Sequence, residues 1–226
     1  MYEMCRLLVE LFICLIVDSM VPCDRSTRLC IILRNSINTI MKKENWYIHT
    51  RVNTQPFIDI LNQCKDTIDV TGNTSAIGSN SKQIRYNTHF QSYENELKKT
   101  LNLIIQERPE YKEKIQLNHL SISSLWSVEG HENSYHRLHK HSDSIDEQIQ
   151  FDNCISTILY VNIPKKDPKG EFYFLLEKDN DTILKCINPE VGDLLIFPWT
   201  TYHGVYPQGP GLRKTINCDL IYNPSL

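Results

Sequence analysis

Residues 119–226 predict a mainly β domain of the jelly-roll, barrel or sandwich kind, preceded by a helical region over residues 1–118. Two patterns carry this expectation. Beyond His119 the chain becomes short runs rich in Ile, Leu, Val, Tyr and Phe, separated by clusters of Gly, Pro, Asn and Asp, which is how strands joined by turns are written. Upstream, apolar residues recur at spacings of three and four, the period of a helix that buries one face. With 226 residues the chain can hold one domain with extensions and bury a substantial core.

Taken in order, residues 1–45 read as two helical stretches, an apolar run from Leu7 to Val17 and then a stripe of Leu29, Leu33, Ile37 and Ile40. Thr54-Gln55-Pro56, followed by Phe57, Ile58, Leu61 and Cys64, predicts a capped helix with proline in its first turn. The stretch Thr71 to Lys82, rich in Gly, Ser, Asn and Thr, predicts a loop or lid. Leu97, Leu101, Ile104 and Ile105 place a helix between Tyr93 and Glu107, and Pro109 ends it. Predicted strands follow at Leu120 to Val128, Tyr135 to His141, Cys154 to Ile163, Glu171 to Glu177, Thr182 to Ile187, Asp193 to Phe197 and Arg213 to Tyr222. The polar stretch Ser142 to Asn153 reads as a solvated loop.

Composition narrows the function classes. Hydrophobic residues are 41% and charged residues 23%, close to the globular average, which argues against wholesale disorder. A net charge of −3 and the lack of a basic stripe with interleaved aromatics leave nucleic-acid binding without its electrostatic footprint. The eight cysteines form no C-x-x-C pair and no zinc-ribbon spacing, so free buried thiols in a reducing, cytoplasmic setting are expected. The Leu7 to Val17 run is too short to span a bilayer and contains Glu10; with no basic flank it makes a poor secretory signal, although secretion stands as the alternative.

The chemistry concentrates in two places. His139-Lys140-His141-Ser142-Asp143 sets ligand-type side chains at every second position, and donors at i and i+2 on an extended strand project from one face. His203 follows Asp193-Leu-Leu-Ile-Phe-Pro, where a strand should end at proline and the chain enter a tight loop, and it can close a triangle of donors. Imidazole nitrogen and carboxylate oxygen suit iron, and three protein ligands leave three positions open. Both His139/His141 and His141/Asp143 satisfy the alternation. His136, three residues before His139, should face away from it on a regular strand and so stand behind the ligands or on the substrate side, and His131 should lie at the surface. Arg213, with Thr215 on the same face of the next strand, offers a guanidinium fork and a hydroxyl to a carboxylate. Tyr160 lies in Ile158-Leu159-Tyr160-Val161, a strand apolar on both faces, so its buried hydroxyl needs a partner.

In this order, Trp126, His136-Arg-Leu-His139-Lys-His141, Tyr160-Val161, Gly192-Asp-Leu-Leu-Ile-Phe197-Pro198, His203 and Arg213-Lys-Thr215 resemble the Fe(II)- and 2-oxoglutarate-dependent oxygenases over about residues 119 to 226. The resemblance implies a double-stranded β-helix (jelly roll, cupin-like), with the helices of residues 1–118 packed outside it. It implies Fe(II) at the mouth, held by His139, His141 and His203 or by His141, Asp143 and His203, the first set matching the pattern better. Ser142 stands where proline is usual, and the loop after His141 is long. The co-substrate 2-oxoglutarate would chelate the iron and place its far carboxylate on Arg213, assisted by Tyr160 and Thr215. With dioxygen, such proteins release succinate and carbon dioxide and hydroxylate a bound substrate. That substrate stays open among a small molecule, a protein side chain and a nucleobase, because variable loops build the pocket walls.

Two other readings compete. A cupin-like barrel without activity could bind a ligand only. His139-x-His141-x-Asp143 also matches the start of the metallo-β-lactamase zinc signature, but the sixth position is Ser144 and that fold needs strands alternating with helices.

Overall fold

The computed structural model describes residues 46–71, 78, 80–88, 90–141, 154–178 and 181–223. The helical stretches expected before residue 45, most of the Thr71 to Lys82 loop and the Ser142 to Asn153 loop with Asp143 lie outside these residues.

Two antiparallel sheets form the body of the described chain. The larger has seven strands in the order β1 (Ile48–Arg51), β9 (Asp193–Pro198), β6 (Ile155–Asn162), β11 (Arg213–Tyr222), β4 (Leu120–Gly130), β3 (Ser81–Tyr86) and β2 (Thr67–Asp69). The smaller has four, β5 (His136–His139), β10 (Tyr202–Val205), β7 (Phe172–Lys178) and β8 (Asp181–Ile187). Together they make the β-sandwich of a jelly roll. Around the His139/His141 motif and beyond it no described α-helix separates the strands from β4 to β11, so the alternation of strands and helices that the zinc-hydrolase reading requires there is not seen among the described residues.

β6 and β9 carry apolar residues on both faces because each face meets a different core. From β6, Ile155 and Leu159 join a core shared with two helices, while Ile158 and Tyr160 point the other way and pack with Phe172, Phe174, Leu195, Phe197 and Val205 between the sheets. Helix α1 (Gln55–Asn62) starts with Pro56 in its first turn and buries Phe57 and Leu61. Helix α2 (Phe90–Glu107) buries Tyr93, Leu97, Leu101, Ile104 and Ile105, the stripe that the spacing predicts. The Phe57 and Tyr93 rings, 5.2 Å apart, lock the helices together.

The sheet crosses the boundary expected at residue 119. β1, β2 and β3 lie upstream of it: β1 pairs with β9, β3 with β4 and β2 with β3, so a purely helical region does not describe residues 46–118. These strands are short and polar on at least one face, which hides them from a search for apolar runs. In β3 the alternation is legible nonetheless: Tyr86 is buried while its neighbour Arg85 is exposed. β10 is the other missed strand. After Pro198 the chain turns only through residues 199–201, with the Trp199 indole N–H bonded to the Ile155 carbonyl at 2.9 Å, and then re-enters a sheet. His203 therefore stands on a strand, not in a loop.

The four described cysteines, Cys64, Cys154, Cys186 and Cys218, are free thiols, and burial holds the Cys218 thiol well above its usual range. No described helix is long and apolar enough to cross a membrane.

Candidate metal centre and anion pocket

Antiparallel pairing sets His203 of β10 directly opposite His139 of β5. His141, just past the end of β5, is tied by its backbone N–H to the Trp199 carbonyl at 3.0 Å. Three imidazoles thus converge from two segments separated by sixty residues of sequence, with ring centroids 4.4 Å apart for His139–His203, 5.0 Å for His141–His203 and 5.5 Å for His139–His141. One potential ligand atom from each lies within 4.8 Å of the others. Asp143, the carboxylate of the other ligand set, lies outside the described residues.

Hydrogen bonds assign the tautomers. His139 Nδ1 meets the Arg137 carbonyl at 2.7 Å, His203 Nδ1 meets the Thr201 carbonyl at 2.9 Å and His141 Nδ1 meets Asp219 Oδ1 at 2.7 Å. Carbonyl and carboxylate oxygens only accept, so each Nδ1 carries a proton, which in a neutral imidazole leaves the lone pair on Nε2. Metal-binding histidines are oriented in this way. His203 is only 3% exposed and stacks on Phe172 at 5.6 Å, with Phe197 at 4.7 Å. Burial first, and then the neighbouring His139 and His141, hold its pKa well below the usual imidazole range, so it stays neutral and able to ligate.

Arg213 opens β11 and is 2% exposed. Along this strand Arg213, Thr215, Asn217 and Asp219 share the face turned toward the small sheet, while Ile216, Cys218 and Leu220 pack under the helices. Cross-strand pairing puts Tyr160 beside Thr215, and Tyr160 and Arg213 interact electrostatically. Tyr160 is buried, as its strand predicts, and burial raises its pKa, which keeps the hydroxyl protonated as a donor. Arg213 has one long bond, Nη2 to Ser134 Oγ at 3.5 Å, and its Nη1 is buried with no hydrogen-bond partner among the described residues. Burial lowers its pKa, but a guanidinium stays charged. A buried cation with unmet donors is costly unless an anion completes it.

His136 departs from expectation. Between the His203/His139 and Val205/His136 pairs, β5 spends three residues where β10 spends two, and this irregularity turns His136 to the same side as His139. Its Nε2 is buried without a partner, its ring is 6.3 Å from that of His139, and burial followed by the charge of Arg213 holds its pKa well below the usual range. It bridges the histidine cluster and the arginine. Trp126, 5.9 Å from the His141 ring, closes another side. His131 is exposed, as expected.

The arginine is seated on Gly170. Its φ is +78°, and a Cβ there would collide with Arg213 Nη1. Gly170→Ala is therefore expected to lower the unfolding midpoint, by about 1–2 kcal/mol for the left-handed backbone alone, and to shift the guanidinium. Thermal unfolding checks this: the midpoint should fall.

No protein-family model matches the sequence, and no curated protein is recognisably similar to it. Solved structures are similar in fold. A viral collagen prolyl hydroxylase from Paramecium Bursaria Chlorella virus-1, in complex with 2OG, aligns over 80% of this chain and 98% of its own, with a TM-score of 0.53 and 14% identity. A Pseudomonas putida prolyl-4-hydroxylase aligns over 84% of this chain and 98% of its own, with a TM-score of 0.50 and 13% identity. HygX from Streptomyces hygroscopicus, with nickel and 2-oxoglutarate bound, covers 84% of this chain and 87% of its own, with a TM-score of 0.50 and 12% identity. The chain thus shares its fold with these two prolyl hydroxylases and HygX.

Proposed function

We propose that the chain is a non-haem Fe(II), 2-oxoglutarate-dependent dioxygenase whose catalytic core is residues 119–226 and which hydroxylates a small molecule or a protein side chain. The observation that carries this reading is the pairing of three converging imidazoles at the small sheet with a buried arginine on the facing side of β11, whose Nη1 lacks a hydrogen-bond partner among the described residues. His139, His141 and His203 would hold the iron; Asp143 with His141 and His203 is the other set. Arg213 would receive the far carboxylate of 2-oxoglutarate through paired N–H donors, with the Tyr160 and Thr215 hydroxyls beside it. Phe172 and Phe197 keep water from His203. Bound there, Fe(II) would supply the oxidative decarboxylation of 2-oxoglutarate by dioxygen, giving succinate and carbon dioxide and hydroxylating the substrate.

The test is succinate release when oxygen is admitted to anaerobically Fe(II)-loaded protein with 2-oxoglutarate, sampling amino acids, peptides including prolyl peptides, and small metabolites. Iron-dependent succinate is expected. Its absence throughout would contradict the enzyme reading and favour a barrel that only binds, whereas zinc-dependent hydrolysis instead would point to the hydrolase alternative.

A further inference from the structure

Asp219 stands one imidazole away from the centre. It lies on the inner face of β11, 9% exposed, and among the described residues no lysine or arginine pairs with its carboxylate. Its Oδ1 is 2.7 Å from His141 Nδ1 and accepts from Ser156 Oγ at 2.6 Å, while the same hydroxyl lies 2.8 Å from that Nδ1. Ser156 and Asp219 are paired across neighbouring strands, so the backbone itself brings them together under His141. Burying a carboxylate without a cation is costly, and the opposite face of the same strand is filled by apolar residues and a thiol.

This is not the relay of a hydrolase. In a serine–histidine–carboxylate triad the hydroxyl and the carboxylate engage opposite ring nitrogens, whereas here both meet Nδ1, leaving the serine no base to activate it.

We propose that Asp219, with Ser156, is the positioning pair of the metal centre: it fixes the His141 tautomer and ring plane and makes Nε2 a stronger donor. Non-haem iron sites commonly use two histidines and one carboxylate on the metal. The set His139, His141 and His203 has no carboxylate of its own, and Asp219 supplies negative charge through the imidazole instead. The inference rests on the proposed metal site, and since both ligand sets include His141 it does not depend on which one holds.

Co(II) binding to the full chain under anaerobic conditions, followed by calorimetry and by visible ligand-field absorption, tests it. Asp219→Asn preserves size and one acceptor but removes the charge. It is expected to weaken Co(II) binding about 10- to 100-fold and to shift the absorption bands, with the metal-free unfolding midpoint close to that of the wild type. Ser156→Ala, which leaves the carboxylate in place, should weaken binding less. Wild-type affinity and spectrum in Asp219→Asn would overturn the assignment, as would a loss of affinity accompanied by a matching fall in the metal-free midpoint. If the wild type itself bound no Co(II), the metal-site reading would fail instead.

Discussion

His203→Ala is expected to leave a folded protein that releases no detectable succinate. This substitution removes the one donor contributed by the second segment, directly opposite His139, and no other described histidine, cysteine or carboxylate joins the cluster to replace it. The effect on Co(II) affinity should exceed about 100-fold, the upper range for loss of a group that only supports a ligand. Folding should be affected far less. The lost bond to the Thr201 carbonyl is worth about 1 kcal/mol, and the neighbouring Phe172 and Phe197 remain packed against Phe174. Metal titration beside metal-free thermal unfolding separates the two effects. Retained affinity in the variant would remove His203 from the ligand set.

Arg213→Met is the second large effect, and it separates binding from stability. Methionine fills part of the space of the arginine stem but carries no charge. If the guanidinium receives the far carboxylate, its removal should cost about 2–5 kcal/mol of 2-oxoglutarate binding, raising the concentration required by roughly thirtyfold to several thousandfold. Stability of the ligand-free protein should hold or rise, because the wild type buries this cation at 2% exposure without a carboxylate partner among the described residues. Calorimetry with 2-oxoglutarate and Co(II) and thermal unfolding without either give both numbers. A destabilised variant that still bound 2-oxoglutarate normally would make Arg213 a structural residue.

Much of this architecture can be read from residue order. The stripe on α2, both apolar faces of β6 and the bounds of β11 follow from periodicity alone, and so does the shared face of Arg213 and Thr215. His139 and His141 lie close together as the two-residue alternation requires. What escaped the sequence depends on tertiary pairing. The irregularity that turns His136 inward is set by the register of β5 against β10, which no local pattern records. β1 to β3 bury too little apolar surface to announce themselves. For Asn217 and Asp219 the sequence does hold a signal: in Arg213-Lys-Thr-Ile-Asn-Cys-Asp219-Leu every second residue is polar, while the strand's length and aliphatic content mark it as central. A polar face on a strand buried on both sides is a reason to look for a ligand.

In the proposed site three imidazoles hold one metal ion beside a guanidinium that takes the co-substrate. An anaerobic crystal structure with Mn(II) and 2-oxoglutarate, with the metal located by anomalous scattering, tests it most directly. One peak is expected, bonded to Nε2 of His139, His141 and His203, with the far carboxylate of 2-oxoglutarate on Arg213. A metal bonded away from His203, or a 2-oxoglutarate carboxylate turned away from Arg213, would contradict it.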